Sequence, residues 1–435
     1  MTAIIGVLNA QGVAIATDSA VTVSSGNISK VYNNSNKLFT LSKYHPIGIA
    51  IYDSAVFMGI PWEALIKVYR KKLGERKFDT VEKYKLDFLA FLKKNLDFIS
   101  LEYQNDDFFA FCSTGYKEQK EKIDACITEN ESVTDSLGAE EALTHISPCV
   151  SAVLVDYRRY VEKLDQSDLI KFSKENYVTR YKTQLDEIVK TIETEISTKY
   201  AGFKLTDEDV DVVHQTFYSL TKVKLVFERH SGLVFIGFGD KEIYPSSHLL
   251  TVGSMINNTI RYLIHDPDVI APGKNNANII PYAQSDVTLT VLTGIDPTYQ
   301  GEVQKSIRGS FKTVSEVISP MISNPAQATT ASEAINDIAE KLVGDLDKYR
   351  NEIITKPLID VLIHMGKEDM AELAESLVSI TSLKRKFTAR TTDESVGGPV
   401  DVAVITKGDG FIWLKRKQYF DHDLNKSFSS KYFHS

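Results

Sequence analysis

Cysteine is scarce in this chain: three among 435 residues, at Cys112, Cys126 and Cys149. Three scattered thiols do not make a disulfide framework, and the plain expectation is a reduced, cytoplasmic protein. Long apolar runs are missing as well. No stretch approaches ~18 consecutive apolar residues, so no membrane span is expected. The opening residues have neither the basic n-region nor the apolar h-region of a secretory signal, so none is expected. Nor is there an excess of positive charge: 50 Lys and Arg stand against 58 Asp and Glu, a net charge of −8. Nucleic-acid binders usually present a basic face, and this balance argues against one. Between Pro61 and Pro245 the only intervening proline is Pro148, which leaves room for long helices. What remains is an ordinary globular balance, 43% hydrophobic and 25% charged.

Strand-like runs gather at the two ends of the chain. Residues 3–8 and 13–17 are β-rich and separated by Asn9-Ala10-Gln11-Gly12, which suits a tight hairpin turn. Apolar segments follow at 37–41 and 47–51. After Asp53-Ser54, read as a cap, Trp62, Leu65, Ile66, Tyr69 and Leu73 recur at helical spacing, and a second helix is expected over about 80–100. Residues 155–200 mix charges with apolar residues at helical intervals and read as one long helix or a helix pair. Strands are expected again at 222–227, 232–237, 248–255 and 258–263. The stretch Pro267–Pro281 reads as a loop or lid, 285–295 as a helix start and 327–380 as further helix. The strands at 400–406 and 411–415 are joined by Lys407-Gly408-Asp409-Gly410, an Asp-Gly type of hairpin turn. Strands at both ends and around 222–263, with helices between them, predict an α+β fold of sheets covered by helices, not alternating βαβ units.

The first residues carry the chemistry of interest. If Met1 is removed, Thr2 holds a hydroxyl and a free amine on one residue. An α-amine has an ordinary pKa of roughly 7.7–8.0, so near neutrality it can act as base toward its own hydroxyl. With the hairpin turn centred near Ala10-Gln11, Thr2 lies opposite Ser19, and Asp18 within about one pair of it. Lys37, at the start of the next strand, is a candidate partner for Asp18. Other motifs are weaker. Gly237-Phe238-Gly239 follows a strand, but the third glycine of a dinucleotide loop is missing and Pro245 interrupts the helix that should follow. His145 and Cys149 have no second pair at ligand spacing and are read as two buried side chains, not metal ligands. Lys384, Arg385 and Lys386 are read as a helix end facing solvent, with a basic rim near the cleft as the alternative.

Thr2-Ala3-Ile4-Ile5-Gly6-Val7, Val13-Ala14-Ile15-Ala16-Thr17-Asp18, Lys37-Leu38-Phe39 and the far-end stretch "DESVGGPVDVAVITKGDGF", 393–411, together resemble the proteasome β-subunit family of threonine peptidases. The resemblance covers about residues 2–100, 222–297 and 366–415. It implies a four-layer αββα sandwich of two antiparallel sheets, the N-terminal-nucleophile hydrolase fold. The core would be built from 1–100, 222–297 and 366–435, with helical insertions at 101–221 and 298–365. Carried over, Thr2 is the nucleophile, Asp18 and Lys37 its activating pair, Asp393 an acid near the terminal amine and Ser285 a serine beside it. Backbone N–H groups near 50–53 would hold the oxyanion. Two positions depart from the pattern: Val396 stands where the family has Ser, and Ile51-Tyr52 where it has Gly. The implied function is hydrolysis of peptide bonds in peptides or unfolded proteins, with no metal or organic cofactor. The implied partners are further copies in a ring or stacked ring, and an ATPase. Two other readings stand beside it: an amidase acting on small amides, and an inactive proteasome-like scaffold.

Overall fold

The computed structural model describes residues 2–25, 28–95, 99–167, 169–387, 396–418 and 424–427. The chain opens with a hairpin of β1 (Ile4–Asn9) and β2 (Gly12–Thr17), then β3 (Val21–Ser25) and β4 (Ile28–Tyr32). β5 (Leu38–Thr40), β6 (Ile47–Asp53), β7 (Val56–Phe57) and β8 (Ile60–Pro61) lead into α1 (Trp62–Leu73) and α2 (Val81–Lys94). Four long helices follow: α3 (Leu101–Thr134), α4 (Ala139–Lys163), α5 (Lys174–Ser197) and α6 (Asp207–Lys222). Strands return as β9 (Ser231–Gly237), β10 (Ser246–Ile256), β11 (Thr259–Ile264), β12 (Asp268–Val269) and β13 (Ala277–Pro281). Then come α7 (Ser285–Thr293), α8 (Pro297–Ile318), α9 (Pro325–Arg350), α10 (Lys356–Leu362) and α11 (Lys367–Phe387), and finally β14 (Asp401–Thr406) and β15 (Gly410–Lys415).

Two antiparallel sheets form the centre. One runs β13-β1-β2-β14-β15; the other runs β11-β10-β9-β6-β5, with β12 pairing β10. Every residue of β1 and β2 is buried, because both faces of these strands are covered. Ile4, Leu8, Val13 and Ile15 share one core with Ala50, Val234 and Ile236 of the second sheet. Residues of the other parity, Ile5, Val7, Ala14 and Ala16, pack against Met370, Ala374 and Leu377 of α11. The alanines of β2 leave room for that helix to lie close. On the far side, Trp62, Tyr69, Phe88 and Leu92 of α1 and α2 cover Ile49, Leu233, Phe235 and Leu250. The fold is therefore mixed α and β with antiparallel sheets.

Helices α3–α6 have a core of their own, centred on Phe108, Tyr177, Tyr181 and Phe217. Polar contacts join this unit to the β10–β11 turn. The Tyr181 hydroxyl accepts from Asn257 N–H at 2.8 Å, and the Gln104 side chain exchanges hydrogen bonds with Asn258. Among the described residues no helix is long and apolar enough to cross a membrane.

Several local expectations are corrected. Residues 222–227 form no strand. Val223 makes only an isolated bridge to Gln166, and Arg261, paired with buried Glu228, takes the carbonyls of Val223 and Leu225. Of the two forms expected for 155–200 the structure has the helix pair: α4 ends at Lys163 and α5 begins at Lys174, capped by the Ser173 hydroxyl. Within 267–281, β13 is an edge strand paired to β1, not a lid. Asp53-Ser54 caps no helix; Asp53 takes a left-handed turn (φ 62°) and α1 starts only at Trp62. Cys126 and Cys149 form a disulfide between α3 and α4, while Cys112 is free and buried, so the expectation of unpaired thiols does not hold. His145 is exposed, not buried.

Candidate functional site

The hairpin turn sets the register at the start of the chain. Asn9 faces Gly12 and Ile4 faces Thr17, and the next pair places Ala3 opposite Asp18. There the ladder changes character. Asp18 N–H donates to the Ala3 carbonyl at 3.1 Å, but Ala3 N–H donates to the Asp18 carboxylate, Oδ1, at 2.9 Å. On the other side, Gln284 N–H donates to the Thr2 carbonyl at 3.2 Å, which sets Ser285, the first residue of α7, beside the chain start. Thr2 itself is buried, 4% exposed.

Asp18 is the hub. Its Oδ1 also accepts from Lys37 Nζ at 2.7 Å, and its Oδ2 accepts from the N–H groups of Ala20 (3.2 Å) and Gly397 (3.1 Å). Both members of the ion pair are buried. Burial pushes the Lys37 ammonium below its ordinary pKa; Asp18 opposes that shift and the nearby charge of Lys417 adds to it. Gly397 returns the contact, its carbonyl accepting from Ser19 N–H at 3.0 Å. The next residue, Gly398, has φ 76°, and a Cβ there would lie 2.8 Å from the Asn33 carbonyl oxygen, so the loop can close on Asp18 only with glycine. Asp393, earlier in the same stretch, lies outside the described residues.

The structure thus brings Thr2, Asp18, Lys37 and the Ser285 end of α7 together at one end of the two sheets. Lys384 and Lys386 are exposed at the end of α11, as expected, while Arg385 is half-buried; Arg385 and Lys384 pair with Asp286 at 2.6 and 3.0 Å, tying the end of α11 to the start of α7. The backbone near 50–53 is partly engaged. Ile51 N–H donates to the Lys37 carbonyl at 2.8 Å, and Ser54 N–H to the His230 carbonyl at 3.1 Å. Strand alternation then turns the N–H of Tyr52 toward β9 and that of Asp53 past the end of β5.

Four further side-chain settings lie at this end. Asp401, paired with Thr17 across β2 and β14, holds the Lys417 side chain as well as its N–H, making a second acid–base pair near Lys37. The buried Thr17 hydroxyl has no hydrogen-bond partner among the described residues. Asp53 pairs with His230 at 3.2 Å, and this carboxylate raises the imidazole pKa. The Tyr52 ring lies over Gly232, where any Cβ would overlap it, and burial pushes its phenol up to about 12. Of these, Asp401 had a local signal, an acid at the head of an apolar strand, and Tyr52 stood out as a bulky residue where the resemblance expects Gly. Among the described residues no cluster of His, Cys, Asp and Glu is suited to a metal ion.

Comparison with models of known protein families finds no match for this chain, and no curated protein matches it.

Proposed function

We propose that this protein is an N-terminal-nucleophile hydrolase that cleaves peptide bonds with Thr2 after loss of Met1. The observation that carries the reading is the Asp18 carboxylate, held at once by Lys37 Nζ and by the N–H of the residue after Thr2. A buried cation fixed beside the chain start lowers the proton affinity of a neighbouring hydroxyl. The succession of helices, sheet, sheet and helices gives the reading a fitting frame, the four-layer sandwich of that class.

In this mechanism the Thr2 hydroxyl attacks the scissile carbonyl carbon and its proton passes to the Thr2 amine. The oxyanion is held by backbone N–H groups, of which Asp53's points away from β9. The C–N bond then breaks, the leaving amine takes the proton, and water hydrolyses the resulting ester. Asp18 and Lys37 orient and polarise; Ser285 and Asp393 would flank the amine. The proposal includes the cytoplasm as location, unfolded polypeptide as substrate, and assembly into rings served by an ATPase.

A second reading, a scaffold without activity, is favoured by the burial of Thr2 and by the engagement of Ile51 N–H. Intact-mass measurement after treatment with a threonine-directed electrophile separates the two. The hydrolase is expected to lack Met1 and to gain one adduct, which Thr2→Ala abolishes. A protein that keeps Met1 and gains no adduct is the scaffold, and the hydrolase proposal then fails.

A further inference from the structure

Helices α8 and α9 form an antiparallel hairpin. Arg308 pairs with Glu340 at 2.6 Å, Gln304 reaches Asp347, and Ala339 and Val343 are the buried residues of α9. The rest of the apolar side of α9 has no cover. Ile338, Leu342, Leu346 and Tyr349, with Ile353 in the single π-turn that follows, are between 40% and 66% exposed. At 100° per residue these five fall within an arc of about 80°, a continuous stripe beside the α8 contact. Winding the two helices in opposite directions puts exposed Val314 of α8 on the same side of the hairpin. A solvated helix does not need such a stripe, and a stripe of this kind usually marks an interface.

The flank of α9 turned away from α8 indicates what covers it. It carries Lys341, Asp345, Lys348 and Glu352 in that order, all exposed and none in an ion pair among the described residues. The order is basic, acidic, basic, acidic. Turned end for end it becomes acidic, basic, acidic, basic. A second α9 laid antiparallel across the stripe, centred between Leu346 and Asp347, puts Lys341 against Glu352 and Asp345 against Lys348 at both symmetry-related ends. The same register seats Leu342 between Tyr349 and Ile353 of the other copy, as a side chain fits between neighbours one turn apart. Parallel pairing would leave the two charged flanks on opposite sides of the interface, where these residues could not meet. A membrane surface has no use for alternating signs, since anionic lipid calls for a basic flank.

We infer that the α8–α9 hairpin is a homodimerisation arm, joining two copies of this chain through antiparallel α9 helices about a two-fold axis near Leu346. The interface is independent of any chemistry at Thr2.

Light scattering on the full chain, with circular dichroism to check folding, tests the arm. The wild-type particle is expected to weigh at least twice the 48.7 kDa chain, and Leu342→Glu/Leu346→Glu to halve that mass. Lys348→Glu, which sets two acids together at each end, is expected to weaken the pair at least tenfold. The exchange Asp345→Lys/Lys348→Asp restores it, an outcome a merely misfolded variant cannot produce. Leu346→Cys is expected to cross-link to its symmetry mate under mild oxidation, while Glu333→Cys on the opposite side of α9 does not. The native cysteines do not interfere, since Cys112 is buried and the other two are paired. A single-chain mass for the wild type overturns the inference. So does a mass that the leucine variants leave unchanged, or a monomer whose stripe binds phosphatidylserine vesicles instead.

Discussion

Asp18 shows how much of a fold one carboxylate can organise. It is bonded by three backbone N–H groups and one ammonium, from four separate segments of the chain. Removing the cation leaves a buried charge without its partner, and Lys37→Met is expected to destabilise the protein by about 3–5 kcal/mol, seen as a lower urea midpoint. Asp18→Asn/Lys37→Met is expected to lose less than the two single changes together, because no bare charge remains. If the losses simply add, the pair is not coupled as its geometry indicates. His248 gives a pH dependence. It is buried in β10, and desolvation, with some help from Lys85, lowers its pKa from an ordinary 6.5 to about 4. Below pH 6.5 the unfolded chain takes up a proton that the folded one refuses until pH nears 4. Stability is therefore lost as pH falls through that window, by at most about 3 kcal/mol from this group. Denaturation curves at pH 7 and pH 4.5 check it, and His248→Gln is expected to flatten the difference.

Elements of this protein are defined by what covers them. β1 and β2 read as continuous apolar runs because one face meets the second sheet and the other meets α11. Residues 222–227 alternate lysine with apolar residues at their start but make only a single bridge, Val223 to Gln166, and Arg261 takes the carbonyls of Val223 and Leu225. Helix α6 starts on a full capping box between Thr206 and Asp209, whereas α1 starts from Pro61 without a side-chain cap and relies on burial of Trp62, Ile66 and Tyr69. The long helices α3 and α4 are cross-linked by Cys126 and Cys149. Thiol titration with a bulky disulfide reagent is expected to find no reactive thiol in the native protein, one after unfolding, and three after unfolding with reductant. Three thiols without reductant would mean that the two helices are joined by packing alone.

Across the whole molecule, stability is distributed unevenly. The paired sheets are covered on both sides, and α3–α6 have their own aromatic core, but α8 and α9 together bury only Ser315, Ala339 and Val343. Hydrogen exchange is expected to be slowest in β1, β2 and β14 and fastest, among the helices, in α8 and α9. Protection of α9 that rises with protein concentration is the signature of the proposed dimer; protection that never changes is the signature of an isolated arm.

Local physics made part of this legible in advance. Asn9-Ala10-Gln11-Gly12 selects a turn, the turn sets a register, and the register puts Thr2 and Asp18 within one pair of each other before any tertiary contact exists. The spacing of Trp62, Leu65, Ile66 and Tyr69 likewise encodes the buried side of α1. Only the tertiary structure could bring Gly397 to Asp18 across 379 residues, pair Cys126 with Cys149, make an edge strand of 277–281, or show that the stripe on α9 stays uncovered. The reason is physical. Turn geometry and helical spacing act between near neighbours and are written in short segments, whereas long-range pairing depends on which surfaces the rest of the chain leaves free.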